Sequence, residues 1–434
     1  MGEAAAGLGD GRGGEGLARR LGTADAVVIG LGSMLGAGVF AVFGPAARAA
    51  GVGLLVGLAV AGVVAYCNAA SSAQLAMAYP TSGGTYVFGR ERLGHWWGFT
   101  AGWGFVVGKT ASCAAMALTF ARYAVGPGWA GRLVAVAAVV GLAGLNCRGV
   151  AKTAIATRVL VAATLVALAV LVAGIAVGLA GGEVTSDVSA GGVYGILQSA
   201  GLIFFAFAGY ARIATMGEEV RDPARTIPRA IPLALGIAAA VYLLVGSAAL
   251  LAAGPERLAA ASAPLVAAVD AAGVGALAPV VRIGAALASL GALLALIAGV
   301  GRTGLAMARN RDLPGWLAAV HPRHRVPHHA ELALAAVVCA LVLTTDPRGV
   351  IGFSSFGVLV YYAIANAAAL TQPAQQRRWP RALSVLGLAG CLALVATLPV
   401  ESVVAGLVMF AVGLAARAIV RARLGPNPSE PPAG

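Results

Sequence analysis

Two kinds of residue sit where they could do chemistry inside very apolar stretches: clustered glycines and single cations. The first cluster is GLGSMLGAGVF (Gly30–Phe40), with Gly30, Gly32, Gly36 and Gly38 at the centre of one run and Pro45 at its exit. A glycine costs a helix interior about 1 kcal/mol relative to alanine, so such a density needs a reason. Gly32 and Gly36, four apart, could let two helices pack closely. That does not explain Ser33, Met34 and the small Ala37 in the same few residues. An unwound stretch does, with free amides and carbonyls facing a cavity, the one place where irregular backbone is tolerated at membrane depth. The second cluster is FFAFAGYARIATMGEE (Phe204–Glu219), with Gly209 at its centre and Arg212 just after it. Two interrupted helices would offer N–H groups to a carboxylate and C=O groups to an ammonium. A zwitterionic amino acid carries both, one carbon apart.

The elements that hold these groups follow from composition. The chain has 434 residues, 59% apolar and 11% charged, with a mean hydropathy of +0.87. Soluble domains carry roughly 25% charge, so a soluble enzyme, a disordered protein and a secreted disulfide scaffold are excluded. The alternating polar face of an outer-membrane barrel is missing. Twelve apolar runs, each read as a helix, fall at about 23–45, 48–75, 93–123, 133–147, 154–180, 193–215, 229–253, 276–301, 331–345, 350–371, 381–398 and 401–420. Spans 1 and 6 would then be the interrupted ones, five apart, as an inverted repeat requires: repeats over about 23–180 and 193–371, with two added helices over 381–420. Of the 30 lysines and arginines, 22 fall in the tails and one set of loops, six in the other set, and Lys109 and Arg212 inside spans. By the positive-inside rule both termini are cytosolic, in a multi-pass protein of the cytoplasmic membrane. Residues 1–20 and 425–434 read as disordered cytosolic tails flanking one transporter domain, 21–424.

The net charge of +13 thus points to membrane topology rather than nucleic acid. The five cysteines form no CxxC pair and read as small buried hydrophobes. Four of the five histidines (His321, His324, His328, His329) lie in one basic, Pro-punctuated inner loop with no acidic or thiol companion, which reads as a headgroup-facing loop rather than a metal site. No G-x-x-x-x-G-K-[ST] loop occurs, which disfavours ATP-driven transport. No cofactor, metal, nucleic acid or obligate protein partner is called for. The expected partners are a small substrate, the lipid bilayer and, where transport is coupled, a proton.

Four stretches together resemble the amino acid–polyamine–organocation (APC) superfamily of amino acid permeases, with the LeuT-type fold. GSMLGAGVF (Gly32–Phe40) is similar to its glycine-rich first-helix break, and YPTSGGTYVFGRERLGHWWGFTAGW (Tyr79–Trp103) to its P-x-x-G-G-x-Y loop. FFAFAGYARIATMGEEVRDPARTIPRAI (Phe204–Ile231) resembles its helix-6 break and tail, and GRTGLAMARNRDLPGWLAAVHP (Gly301–Pro322) its helix-8 exit. The resemblance implies a secondary transporter working by alternating access. Backbone amides near Gly36, Ala37 and Gly38 would hold the substrate carboxylate. Carbonyls at Met34, Phe205 and Ala208 would hold its amine, and Phe207 and Tyr210, beside Gly209, would line or gate the pocket; each aromatic could equally be plain helix packing. Two departures matter: Thr164 stands where several proton-coupled relatives place a lysine, and only Ser289 is a hydroxyl near the helix-8 position where sodium-coupled relatives present two. Proton coupling and exchange both stay open.

Lys109 sits mid-span, where an ionised group costs about 2.5–3.5 kcal/mol on insertion scales and is functional by default. It is expected near the pocket and as a coupling candidate, together with Thr164, Arg212 and Ser289. Arg212, a turn beyond the break, reads rather as a structural pair or a snorkelling side chain. With no acidic residue deep in any span, a neutral or acidic amino acid fits better than a polyamine, which would call for carboxylates or aromatic cages. The alternatives are a transporter of polyamines or other organic amines, and a channel or solute sensor on the same scaffold. An integral-membrane enzyme would want acidic metal-binding motifs or a catalytic His near the bilayer; His95 has no Asp/Glu pair beside it.

Overall fold

The structure, a computed structural model, describes residues 21–80, 83–180, 191–216 and 220–424. The two expected tails and Glu218–Glu219 lie outside the described residues. Among the described residues every regular element is a helix. In chain order these are α1 (Thr23–Met34), α2 (Ala37–Ala41), α3 (Phe43–Ala50), α4 (Leu54–Ala78), α5 (Thr85–Leu93), α6 (His95–Ala124), α7 (Trp129–Asn146) and α8 (Val150–Leu179). Then follow α9 (Val193–Phe207), α10 (Ala211–Ala214), α11 (Pro223–Ala260), α12 (Pro264–Ala271), α13 (Ala278–Arg309), α14 (His328–Thr344), α15 (Pro347–Leu370), α16 (Arg381–Thr397) and α17 (Val400–Leu424). One isolated parallel bridge joins Leu21 to Val220.

Ten stretches are long and apolar enough to cross a bilayer, among them Thr23–Ala41, which runs over the α1–α2 junction, and Val193–Ala214. The sequence predicts twelve. The difference is α14 and α16, with 17 residues each. At 1.5 Å per residue such helices are about 26 Å long, a few ångströms short of a hydrocarbon core of about 30 Å.

The helices pack through small residues. α6 lies between α13 and α15, α1 packs against α11, α8 and α13, and α4 against α9 and α11. The glycines of the first run do not form one packing face: a Cβ on Gly32 would lie 2.8 Å from the Thr157 methyl of α8, and one on Gly36 2.1 Å from the Ala292 Cβ of α13. Two neighbours therefore crowd α1 from different sides, and both require the bare Cα.

Candidate functional site

Span 1 is broken. α1 stops at Met34; Leu35 (ψ 24°) and Gly36 (ψ −143°) leave the helical path, and α2 restarts at Ala37. A helix end leaves its last carbonyls and first amides without intrahelical partners. The break therefore exposes peptide groups of both polarities within a few residues, at a point where every neighbouring side chain is buried.

Span 6 is not broken, contrary to the expectation from Gly209. α9 passes into a 3₁₀ turn over Ala208–Tyr210 and continues as α10, with Phe207, Ala208, Tyr210 and Ala211 all in the right-handed helical region. Gly209 answers to a close approach instead. A Cβ there would lie 2.3 Å from the Ser33 carbonyl oxygen and 2.7 Å from the Met34 nitrogen. The glycine lets the end of α1 rest directly on the turn. A 3₁₀ turn has poorer hydrogen-bond geometry than an α-helix, and its carbonyls find other donors.

Those donors define the site. The Lys109 ammonium of α6 donates to the Ala208 carbonyl at 3.1 Å, and the Tyr362 hydroxyl of α15 reaches the same oxygen at 3.4 Å. The Tyr242 hydroxyl of α11 lies 2.5 Å from the Met34 carbonyl oxygen and 3.0 Å from that of Ala206. Lys109 is 2% exposed, so its charge is held by this peptide oxygen deep in the helix bundle. Two of the three carbonyls that the resemblance assigns to a substrate amine, Met34 and Ala208, are thus already engaged by the protein's own donors.

The other expected residues divide. Ser33 turns its hydroxyl back onto the Ile29 carbonyl, 3.1 Å, and contributes its backbone. Ala37 and Gly38 open α2, with Gly38 so close to Ala206 that a Cβ would lie 2.7 Å from its methyl. Phe205 is buried in α9. Phe207 packs edge-on against Tyr242, 4.9 Å between centroids, and Tyr210 stacks on Tyr362 at 5.0 Å, so each aromatic stands beside a tyrosine whose hydroxyl binds a carbonyl at or near the turn. Thr164 turns its hydroxyl back onto the Leu160 carbonyl of its own helix, 2.7 Å. Ser289 is fully buried in α13 and its hydroxyl has no partner among the described residues; the adjacent Ala288 and Ala292 face Gly36. Arg212 packs its stem over Gly299 of α13 and donates to Thr215, 3.2 Å, which fits structural pairing.

Among the described residues, contacts cross both ends of the site. On the α2 side Tyr123 donates to the Phe40 carbonyl at 3.0 Å and stands edge-on to its ring, above a narrow cleft of about 30 Å³. At the other end Asp25 of α1 pairs with Arg158 of α8, and the Arg221 amide donates to the Leu21 carbonyl at 2.8 Å.

Sequence reasoning missed four groups. Tyr242 and Tyr362 were not singled out, although a buried tyrosine hydroxyl usually seeks a partner. Glu331 is 2% exposed in the first turn of α14, with the Cys147 thiol 3.7 Å away; in the sequence it is only the first residue of the run over 331–345. Asp312 ties two of the four resembling motifs together: it accepts from Tyr86 at 2.8 Å and pairs with Arg417 at 2.7 Å and Arg90 at 3.7 Å. Burial pushes its carboxyl above the ordinary carboxylate value, against the pull of the arginines. That collar is structural.

Comparison with known proteins bears on what such an arrangement does. Residues 21–418 match the amino acid permease family. An uncharacterized transporter of Mycobacterium tuberculosis is 63% identical over 93% of this chain and 92% of its own length. The branched-chain amino acid permease BcaP of Bacillus subtilis is 26% identical over 92% of each chain. Cationic amino acid transporter 7 of Arabidopsis thaliana, a chloroplastic protein, is 29% identical over 82% of this chain and 65% of its own.

Proposed function

This chain belongs to the amino acid permease family of the APC superfamily, and we propose that it is a secondary transporter of a neutral or acidic amino acid. It is a multi-pass membrane protein and a transporter, not an enzyme. In our reading it has twelve spans with both ends cytosolic in the cytoplasmic membrane, α14 and α16 being the two short ones. Repeats over about 23–180 and 193–371 carry the site, and helices over 381–420 are added to them. The substrate carboxylate meets the amides that open α2, and its ammonium meets the carbonyls of Met34 and Ala208.

The observation that carries this reading is the Lys109–Ala208 contact. The site already holds an ammonium where the substrate's would bind, supplied by the protein. A substrate amine takes the Ala208 oxygen by displacing Lys109. The freed lysine can release its proton or turn toward the substrate carboxylate, which makes it the coupling candidate. Two cations cannot share one oxygen cheaply in a low-dielectric site, so a second positive charge on the substrate is penalised. Alternating access then breaks either the Tyr123–Phe40 contact or the Asp25–Arg158 and Leu21–Arg221 ties, never both sets together.

A second reading, a cationic amino acid as cargo, follows from the name of the Arabidopsis relative. Uptake into proteoliposomes distinguishes the two: labelled leucine, alanine, glutamate, lysine and arginine are offered separately with and without an inward proton gradient. Saturable uptake of a neutral or acidic amino acid supports the proposal, and uptake confined to lysine and arginine rejects it.

A further inference from the structure

A cavity of about 830 Å³ lies away from the α1 break. It runs along α6 on the side presented by Trp103, Val107 and Ala111, while Lys109 points at Ala208. Val107 and Phe353 form its floor on α6 and α15. Leu334 and Val337 form one wall on α14, and Ala405 the other on α17. Val337 is 52% exposed, so the groove opens sideways, toward the bilayer. One end is charged. Asp346, at the α14–α15 turn, and Glu401, in the first turn of α17, both line it, and Arg122 pairs with Asp346 at 3.1 Å.

We infer that this groove is a binding site for a phospholipid with an ammonium-bearing, zwitterionic headgroup. Its acyl chains lie along α14 and α17, its ammonium meets Asp346 and Glu401, and its phosphate meets Arg122. The walls offer only hydrocarbon over most of their length, and the rim offers two carboxylates and one guanidinium, the complement of that headgroup. An anionic lipid would face the carboxylates without an ammonium to offset them. This site is independent of the amino acid site, and its lipid would brace α17 against the α14 wall.

The test uses the full chain in nanodiscs of equal phosphatidylethanolamine and phosphatidylglycerol, extracted into mild detergent and read by native mass spectrometry. Wild type is expected to retain phosphatidylethanolamine over phosphatidylglycerol by at least fivefold. Glu401→Gln, an exposed change that spares folding, should bring the ratio near one. Ala405→Trp, which puts an indole into the groove wall, should weaken retention of both lipids while still binding amino acid. Equal retention of the two lipids by wild type, unchanged retention in Ala405→Trp, or a lipid-free dimer cross-linked through α14 and α17 would each overturn the inference.

Discussion

Lys109→Met removes the ammonium that occupies the Ala208 carbonyl and leaves a side chain of similar length. Lys109 is 2% exposed and donates to that oxygen, 3.1 Å away. A hydrogen bond to a charged group contributes about 1.5–3 kcal/mol net. The substrate amine now competes with that bond and would no longer do so in the variant. Each 1.4 kcal/mol is tenfold in affinity, so binding should tighten roughly ten- to a hundredfold. Replacing a buried charge by an apolar group is often neutral or stabilising, so the variant should fold. The assay is isothermal titration of purified wild type and variant with the transported amino acid, alongside proteoliposome uptake as a function of pH. The account expects tighter binding together with uptake that no longer responds to pH. A folded variant with unchanged or weaker binding would refute the competition, and unchanged pH dependence would remove Lys109 from coupling.

Tyr362→Phe deletes the weaker, 3.4 Å contact to the same oxygen and should tighten binding by less than tenfold, measured by the same titration. Tyr242→Phe leaves the Met34 and Ala206 carbonyls without their shared donor and should cost about 1–3 kcal/mol, seen as a lower melting temperature that substrate partly restores. Gly209→Ala forces a methyl against the Ser33 carbonyl; overpacking of this kind costs about 1–3 kcal/mol, and uptake should fall while Gly236→Ala, which meets open space, leaves it unchanged. Arg417→Leu strips Asp312 of its closest cation, and loss of one partner of a buried pair costs about 3–5 kcal/mol, so thermal unfolding should come markedly earlier with substrate affinity intact.

Much of this was legible in the sequence, because a bilayer imposes simple rules. Apolar runs marked the positions of the long helices, with ends off by up to eight residues (α13 runs to Arg309, not 301), and the glycine density around Gly36 marked a true break. Gly209 was misread because a glycine has two uses, unwinding and close approach, and only the neighbouring chain decides between them. The backbone of Ser33 and Met34, more than 170 residues away in sequence, makes that decision. Lys109 announced itself by being charged inside an apolar run. Its acceptor did not, since it is a peptide oxygen on another helix and carries no sequence signal. Tyr242 and Tyr362 stayed hidden for a related reason: whether a tyrosine hydroxyl points at a carbonyl depends on helix rotation, which periodicity alone does not fix. Glu331 opens the ninth apolar run at 331 while α14 begins three residues earlier, at His328, so a carboxylate that looked like a span terminus lies a turn inside the helix.

The most direct test of peptide groups holding both ends of a zwitterion is competitive binding by three matched ligands. The transported amino acid, the amine left by its decarboxylation and the acid left by its deamination are each titrated against the labelled amino acid on the purified full chain. The account predicts that the intact amino acid competes and that each half-ligand is weaker by at least a hundredfold. An amine or an acid that competes as well as the amino acid would show that the α2 amides or the Met34 and Ala208 carbonyls do not grip the substrate.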